Sequence, residues 1–161
     1  MSGARLAPGS GQANVATGVP LLDHLLVELA RAGRFDLSLE IEPDEPAAEV
    51  DGAGAAIGRA LQPLLHPGAH GSGVMLSVEA LAMVAVEASG TPLVASNADL
   101  TGAGGLGTDL AARFLAALAD AAALTLHVRL IEGENTDHVL EAMFKALGVA
   151  LSEAAGDPTD R

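Results

Sequence analysis

Apolar and polar positions along this chain alternate with two periods, and the order of those periods occurs twice. Leu22, Leu25, Leu26 and Leu29 fall on one face of a helix that has Pro20 early and Gly33 as its stop. Phe35, Leu37, Leu39 and Ile41 then alternate with Asp36, Ser38, Glu40 and Glu42, the period-two pattern of a half-buried strand. Residues 43–48 read as an acidic loop containing proline, and a second helix is expected over Val50 to Leu65, apolar at Ile57, Leu61 and Leu64. The middle of the chain differs. His66 to Gly73 reads as a loop, Val74 to Ser89 and Pro92 to Ser96 as strands joined by the turn Ser89-Gly90-Thr91, and Asp99 to Gly107 as a Gly-rich loop. The opening order then returns. Leu110, Phe114 and Leu118 mark a helix, and Leu124, Leu126, Val128 and Leu130 mark a strand. Leu140, Phe144, Leu147 and Leu151 mark a last helix.

Phe35-Leu37-Leu39 and Leu124-Leu126-Val128 match at an offset of 89 residues. This reads as an internal duplication. Two such halves, stacked helix face on helix face, predict an α+β fold of duplicated β-α units with helices sandwiched between two sheets. The expected organisation is a flexible lead-in over residues 1–12 and one domain over 13–155, built of repeats at about 13–90 and 91–155, with a tail at 156–161.

Composition narrows what such a fold can do. Half of the 161 residues are apolar but only 2% are aromatic, so the core is Leu, Val and Ala against three Phe, which implies thin, closely packed layers. The net charge of −13 repels phosphate backbones and anionic lipid, which argues against nucleic acid and membrane partners. There is no cysteine, hence no disulfide and no thiolate zinc site. The start of the chain lacks a signal peptide's apolar stretch, and no apolar run is long enough to span a bilayer. The expected location is the cytoplasm.

Candidate chemistry sits in a motif present once intact and once damaged. Asp137-His138-Val139-Leu140-Glu141 places an imidazole and two carboxylates at spacings of three and four, neighbours on one helical surface. Such mixed nitrogen and oxygen donors suit Mn²⁺, Fe²⁺ or Zn²⁺. The same string also describes a solvated helix start, where the macrodipole favours Asp. Ninety residues earlier the register reads Ala47-Ala48-Glu49-Val50-Asp51. Asp23-His24 opens near the first helix, and His127 and Arg129 share the polar side of their strand. His66 and His70 read as plain loop residues.

Taken in order, several fragments carry a resemblance. They are Thr17-Gly18-Val-Pro-Leu-Leu-Asp23-His24, Phe35-Asp36-Leu37, Glu79-Ala80-Leu81, Ser89-Gly90-x-Pro92, Leu124-Thr-Leu-His127-Val-Arg129, and Asn135-x-x-His138-x-x-Glu141-Ala-x-Phe144-Lys145-Ala-Leu147. The set resembles imidazoleglycerol-phosphate dehydratase, a carbon–oxygen lyase of histidine biosynthesis, over roughly Gly11 to Leu151. The resemblance implies a duplicated α+β unit assembled into trimers and then a 24-subunit shell. It implies two Mn²⁺ ions between subunits, held by two His-His-x-x-Glu motifs and two further histidines. The ions bind the substrate's imidazole and stabilise its anion, so that hydroxide can leave. Basic side chains hold the phosphate.

Position by position, the second metal motif survives as Asp137, His138 and Glu141, and His24 and His127 match the two further histidines. In the first motif Ala47 and Ala48 replace both histidines and Asp51 replaces the glutamate. Glu79 matches an active-site glutamate, and Lys145 reads as scaffold. Basic positions fare worse: Gly68-Ala69, Thr91 and Glu134 stand where the family has cations, the N-terminal Arg-x-Thr-x-Glu-Thr strand and the C-terminal lysine are missing, and only Arg129 persists. Each charge-assisted phosphate contact contributes about 1.5–3 kcal/mol, so losing three or four removes many orders of magnitude in affinity.

The leading expectation is therefore a protein of this family that is catalytically impaired, a pseudoenzyme acting through homo-oligomeric assembly or co-assembly with an intact homologue. A trimer is favoured over the 24-subunit shell, because metal ligation helps to hold that shell in the family. One alternative is a divergent but active Mn²⁺-dependent dehydratase, with Glu79 and Glu141 catalytic and with Asp44, Glu45, Glu49 and Asp51 as substitute oxygen donors. A second is a single-metal enzyme acting on a ligand without phosphate. The cofactor expectation is Mn²⁺, bound weakly or at a single site.

Overall fold

In the computed structural model, residues 2–98 and 107–156 are described. The elements run β1 (Gly3–Pro8), β2 (Ala13–Ala16), α1 (Pro20–Gly33), β3 (Phe35–Glu40), α2 (Pro46–Leu61), a 3₁₀ turn (Gln62–Leu64), β4 (His70–Ser77), β5 (Ala80–Glu87), β6 (Leu93–Ser96), α3 (Gly107–Ala122), β7 (Thr125–Glu132) and α4 (Thr136–Ala155). No helix among the described residues is long and apolar enough to cross a membrane.

The α+β sandwich forms as the pattern predicts. A three-stranded sheet in the order β1-β3-β2 is covered by α1 and α2, and a four-stranded sheet in the order β4-β5-β7-β6 is covered mainly by α4, with α3 against β6. The helix layers meet at two seams, α1 on α4 and α2 on α3. All three phenylalanines are fully buried, and Phe114 and Phe144 stack at a tilt with centroids 5.4 Å apart. Close approach elsewhere comes from glycine. At the α1–α4 crossing a Cβ on Gly148 would collide with the Leu29 carbonyl, and at the α2–α3 crossing a Cβ on Gly58 would lie 3.0 Å from the Leu118 carbonyl.

The duplication is visible in the strand pairing. Leu37 on β3 pairs antiparallel with Leu6 on β1 and parallel with Ala13 on β2; Leu126 on β7 pairs antiparallel with Val86 on β5 and parallel with Val94 on β6. The units are thus β1-β2-α1-β3-α2 and β5-β6-α3-β7-α4, with β4 added at the edge of the second sheet.

Several boundaries differ from expectation. The second unit begins at Ala80 rather than near residue 91, and the first begins inside the expected lead-in, because Gly3–Pro8 forms β1 against β3. The loop after β1 is held from outside: the Asp36 carboxylate accepts the backbone N–H groups of Ser10 and Gln12, both at 3.1 Å. Those bonds hold its pKa below 3.8. Helix α2 starts at Pro46, suited to a first helical position, so Ala47 and Ala48 are helical rather than loop. The stretch read as starting a strand at Val74 is a hairpin whose first strand starts at His70. It turns on two residues, Val78 and Glu79, with Val78 at φ 53°. The expected loop at Asp99 to Gly107 falls largely on residues 99–106, outside the described ones, as do residues 157–161 of the tail.

Candidate functional site

Three elements bring candidate side chains to the α1–α4 seam. On α1, His24 follows Asp23, whose carboxylate accepts the Thr17 backbone N–H at 2.9 Å and its hydroxyl at 2.5 Å, fixing the entry to the helix. On α4, Asn135 is the N-cap, its side-chain oxygen accepting the His138 N–H at 3.2 Å. This cap places His138 in the first turn and Glu141 one turn on, facing α1. The β4–β5 hairpin supplies Ser77 and Glu79.

These groups touch in sequence. His24 Nε2 lies 4.0 Å from Glu141 Oε1, and Ser77 Oγ donates to Glu141 Oε2 at 3.3 Å. His138 Nδ1 lies 2.5 Å from Glu79 Oε1. The hydrogen bond to Glu79, first of all, raises the His138 pKa above 6.5; partial desolvation opposes it, and the charges of Glu79, Glu141 and Asp137 add to it. Protonated, His138 donates Nδ1–H to Glu79 and has no lone pair on that ring nitrogen for a metal.

Other predicted residues lie elsewhere. Asp137 is exposed on the first turn of α4. His127 and Arg129 are exposed on β7, on the sheet face turned away from the helices, beside Ala85 and Met83 of β5. Glu49 is buried, with its carboxylate against Gly18 at φ 87°, where any Cβ would collide with it. It accepts the Asp44 N–H at 3.4 Å, so this expected substitute donor faces inward, away from Asp51. Glu45 is the N-cap residue of α2, and its backbone N–H bonds Asp44 Oδ1 at 2.7 Å.

Asp51 is engaged by a residue that the motifs did not single out. Arg113 on α3 donates Nε to Asp51 Oδ1 at 3.1 Å and a terminal nitrogen to Oδ2 at 2.6 Å, a two-pronged pair. Its signal in the sequence is the repeat offset, since Arg113 lies 89 residues after His24. Ser77, an ordinary strand residue, had no signal.

The implied two-ion set does not fit these residues. Ala47 and Ala48 carry no lone pair, and both Asp51 oxygens face a guanidinium. Beside Glu79 lies an open cleft of about 550 Å³ whose charged lining is Glu79, Glu132 and Glu134, with Leu76, Val78 and Leu81 as apolar walls. Its lining carries no basic side chain, and the Lys145 ammonium beside it donates to the Leu76 carbonyl at 3.4 Å.

Comparison with known proteins places this geometry. The imidazoleglycerol-phosphate dehydratase family matches residues 17–151. The imidazoleglycerol-phosphate dehydratase of Acetivibrio thermocellus is 37% identical over 91% of this chain and 80% of its own, and that of Bacillus cereus 39% identical over 88% and 77%. Among solved structures, the Staphylococcus aureus dehydratase matches with TM-score 0.82 at 30% identity, over 94% of this chain and 91% of that one. The Pyrococcus furiosus enzyme in complex with (S)-C348 matches with TM-score 0.86 at 26% identity, over 96% and 88%. With the family matched over residues 17–151 and relatives 37–39% identical over most of both chains, the chain belongs to the imidazoleglycerol-phosphate dehydratase family.

Proposed function

We propose that this member of a histidine-biosynthesis lyase family keeps the fold but does not turn over imidazoleglycerol phosphate, and that it acts through assembly. The assembly is a homo-oligomer, with the trimer favoured, or a mixed one with an intact homologue, in the cytoplasm. The observation that carries the reading is the state of the first-half ligand set: two alanines, and an aspartate already bound on both oxygens by Arg113. The carboxylate-lined cleft beside Glu79 supports it, since a phosphate monoester would enter a negative field.

A second reading has its own support. His24 and Glu141, 4.0 Å apart with His138 on the same helix, form the remnant of one site. One Mn²⁺ there would suit a neutral or cationic ligand without phosphate. Arg129 on the outer sheet face is too isolated a cation to reverse that preference.

The test is a dehydratase assay on purified protein supplied with Mn²⁺, together with complementation of a histidine auxotroph and the mass in solution. No turnover, no complementation and an oligomer are expected. Turnover or rescue of growth refutes the proposal and establishes a divergent lyase, with Glu79 and Glu141 as its first candidates for catalytic groups. A monomer refutes the assembly role.

A further inference from the structure

We infer that Arg113 is a built-in cation that closes the α2–α3 seam at the position where the α1–α4 seam carries its metal-type pair, His24 and Glu141. Three independent features fix this equivalence. The residues that end α1 and α3 in the left-handed conformation are Arg34 (φ 54°) and Ala123 (φ 55°), 89 positions apart. Strand registers relate Leu37 to Leu126 by the same offset. At the crossings, Gly148 meets the Leu29 carbonyl as Gly58 meets that of Leu118, which relates α2 to α4 by 90 and α1 to α3 by 89. On those offsets His24 corresponds to Arg113, and Glu141 to Asp51.

The two pairs differ in what they can admit. A neutral imidazole and a carboxylate at 4.0 Å are both lone-pair donors, able to share a cation. A guanidinium has no lone pair, keeps its charge at every working pH, and here takes both oxygens of Asp51. The Arg113–Asp51 pair thus bridges the packed α2–α3 seam without metal, and it is about half exposed to water, at 48% for Arg113 and 45% for Asp51. Its strength falls with added salt rather than with a chelator. The proposed loss of the two-ion site is one consequence; turnover would overturn that reading alone, whereas the clamp stands or falls on the thermal measurements below.

The test compares thermal midpoints of wild type, Arg113→Gln, Asp51→Asn and the double variant at low and high salt. Each single change is expected to lower the low-salt midpoint by about 1–4 °C. The double variant should lose no more than one single change, and the differences should shrink at high salt. Unchanged midpoints, or losses that add, overturn the clamp. A second arm uses Mn²⁺ as probe in a His24→Ala background that silences the other seam. Ala48→His, at the position equivalent to His138, is made with and without Arg113→His. A midpoint rise with Mn²⁺ is expected only when Arg113 has been replaced. An equal rise with Arg113 in place, or none once it is replaced, refutes its role as the substitute cation.

Discussion

Substituting Ala for Gly148 pits helix propensity against the packing that holds the site. The added Cβ on α4 would collide with the Leu29 carbonyl oxygen and lie 3.0 Å from its carbon and 3.2 Å from the Gly33 nitrogen. All three are backbone atoms of α1 and its end, so relief requires the helices to separate. Overpacking of this kind costs about 1–3 kcal/mol, while Ala recovers about 1 kcal/mol of helix propensity. The net loss, up to about 2 kcal/mol, lowers the midpoint of a 161-residue chain by up to about 8 °C. Gly52, inside α2, is the control: a Cβ there meets only Ile41, at 3.7 Å, so Gly52→Ala should raise the midpoint by about 1–3 °C. Circular dichroism melts at one fixed protein concentration make the comparison, since an oligomer's midpoint depends on concentration. Separating α1 from α4 also widens the 4.0 Å gap between His24 and Glu141, so any Mn²⁺-induced shift should shrink in Gly148→Ala. If Gly148→Ala melts at or above wild type, or if both substitutions change stability in the same direction, the crossing is not as tight as argued.

Two other perturbations probe the hairpin beside the seam. Glu79→Gln should return the His138 pKa toward 6.5, followed by NMR titration of the ring. Because the folded value is raised, the pair's contribution is complete below 6.5 and is lost as pH rises through the raised value, so wild type and variant should converge in stability above it; an identical titration in both rejects the pairing. Val78→Gly relieves a β-branched residue at φ 53°. The left-handed backbone costs about 1–2 kcal/mol and glycine's greater unfolded freedom about 0.5–1 kcal/mol, so a net gain of up to about 1.5 kcal/mol is expected in denaturant melts, and a loss would mean that Val78 packs favourably.

The sequence by itself determined what depends on local period. Leu22, Leu25, Leu26 and Leu29 specify α1, and Phe35, Leu37 and Leu39 specify β3, because burial of one helix face or one strand face leaves its spacing in the chain. The 89-residue echo disclosed the duplication, and alanine at 47 and 48 excluded those two positions as metal ligands, because a methyl group has no donor chemistry in any fold. Short elements escaped: β2 has four residues, too few for a period to register, and β1 lies in a Gly- and Pro-containing stretch whose strand identity comes from pairing with β3. Tertiary structure alone decided which candidates meet. His127 carries the right chemistry but points away from the helices, while Arg113, 62 positions from Asp51, captures it across a helix seam. Glu49 turns inward onto Gly18 while its neighbour Asp51 meets Arg113. Such partnerships depend on how two helices cross, a geometry set by packed glycines and by the two-sheet frame, and no local pattern in the chain encodes the side-chain distances that result.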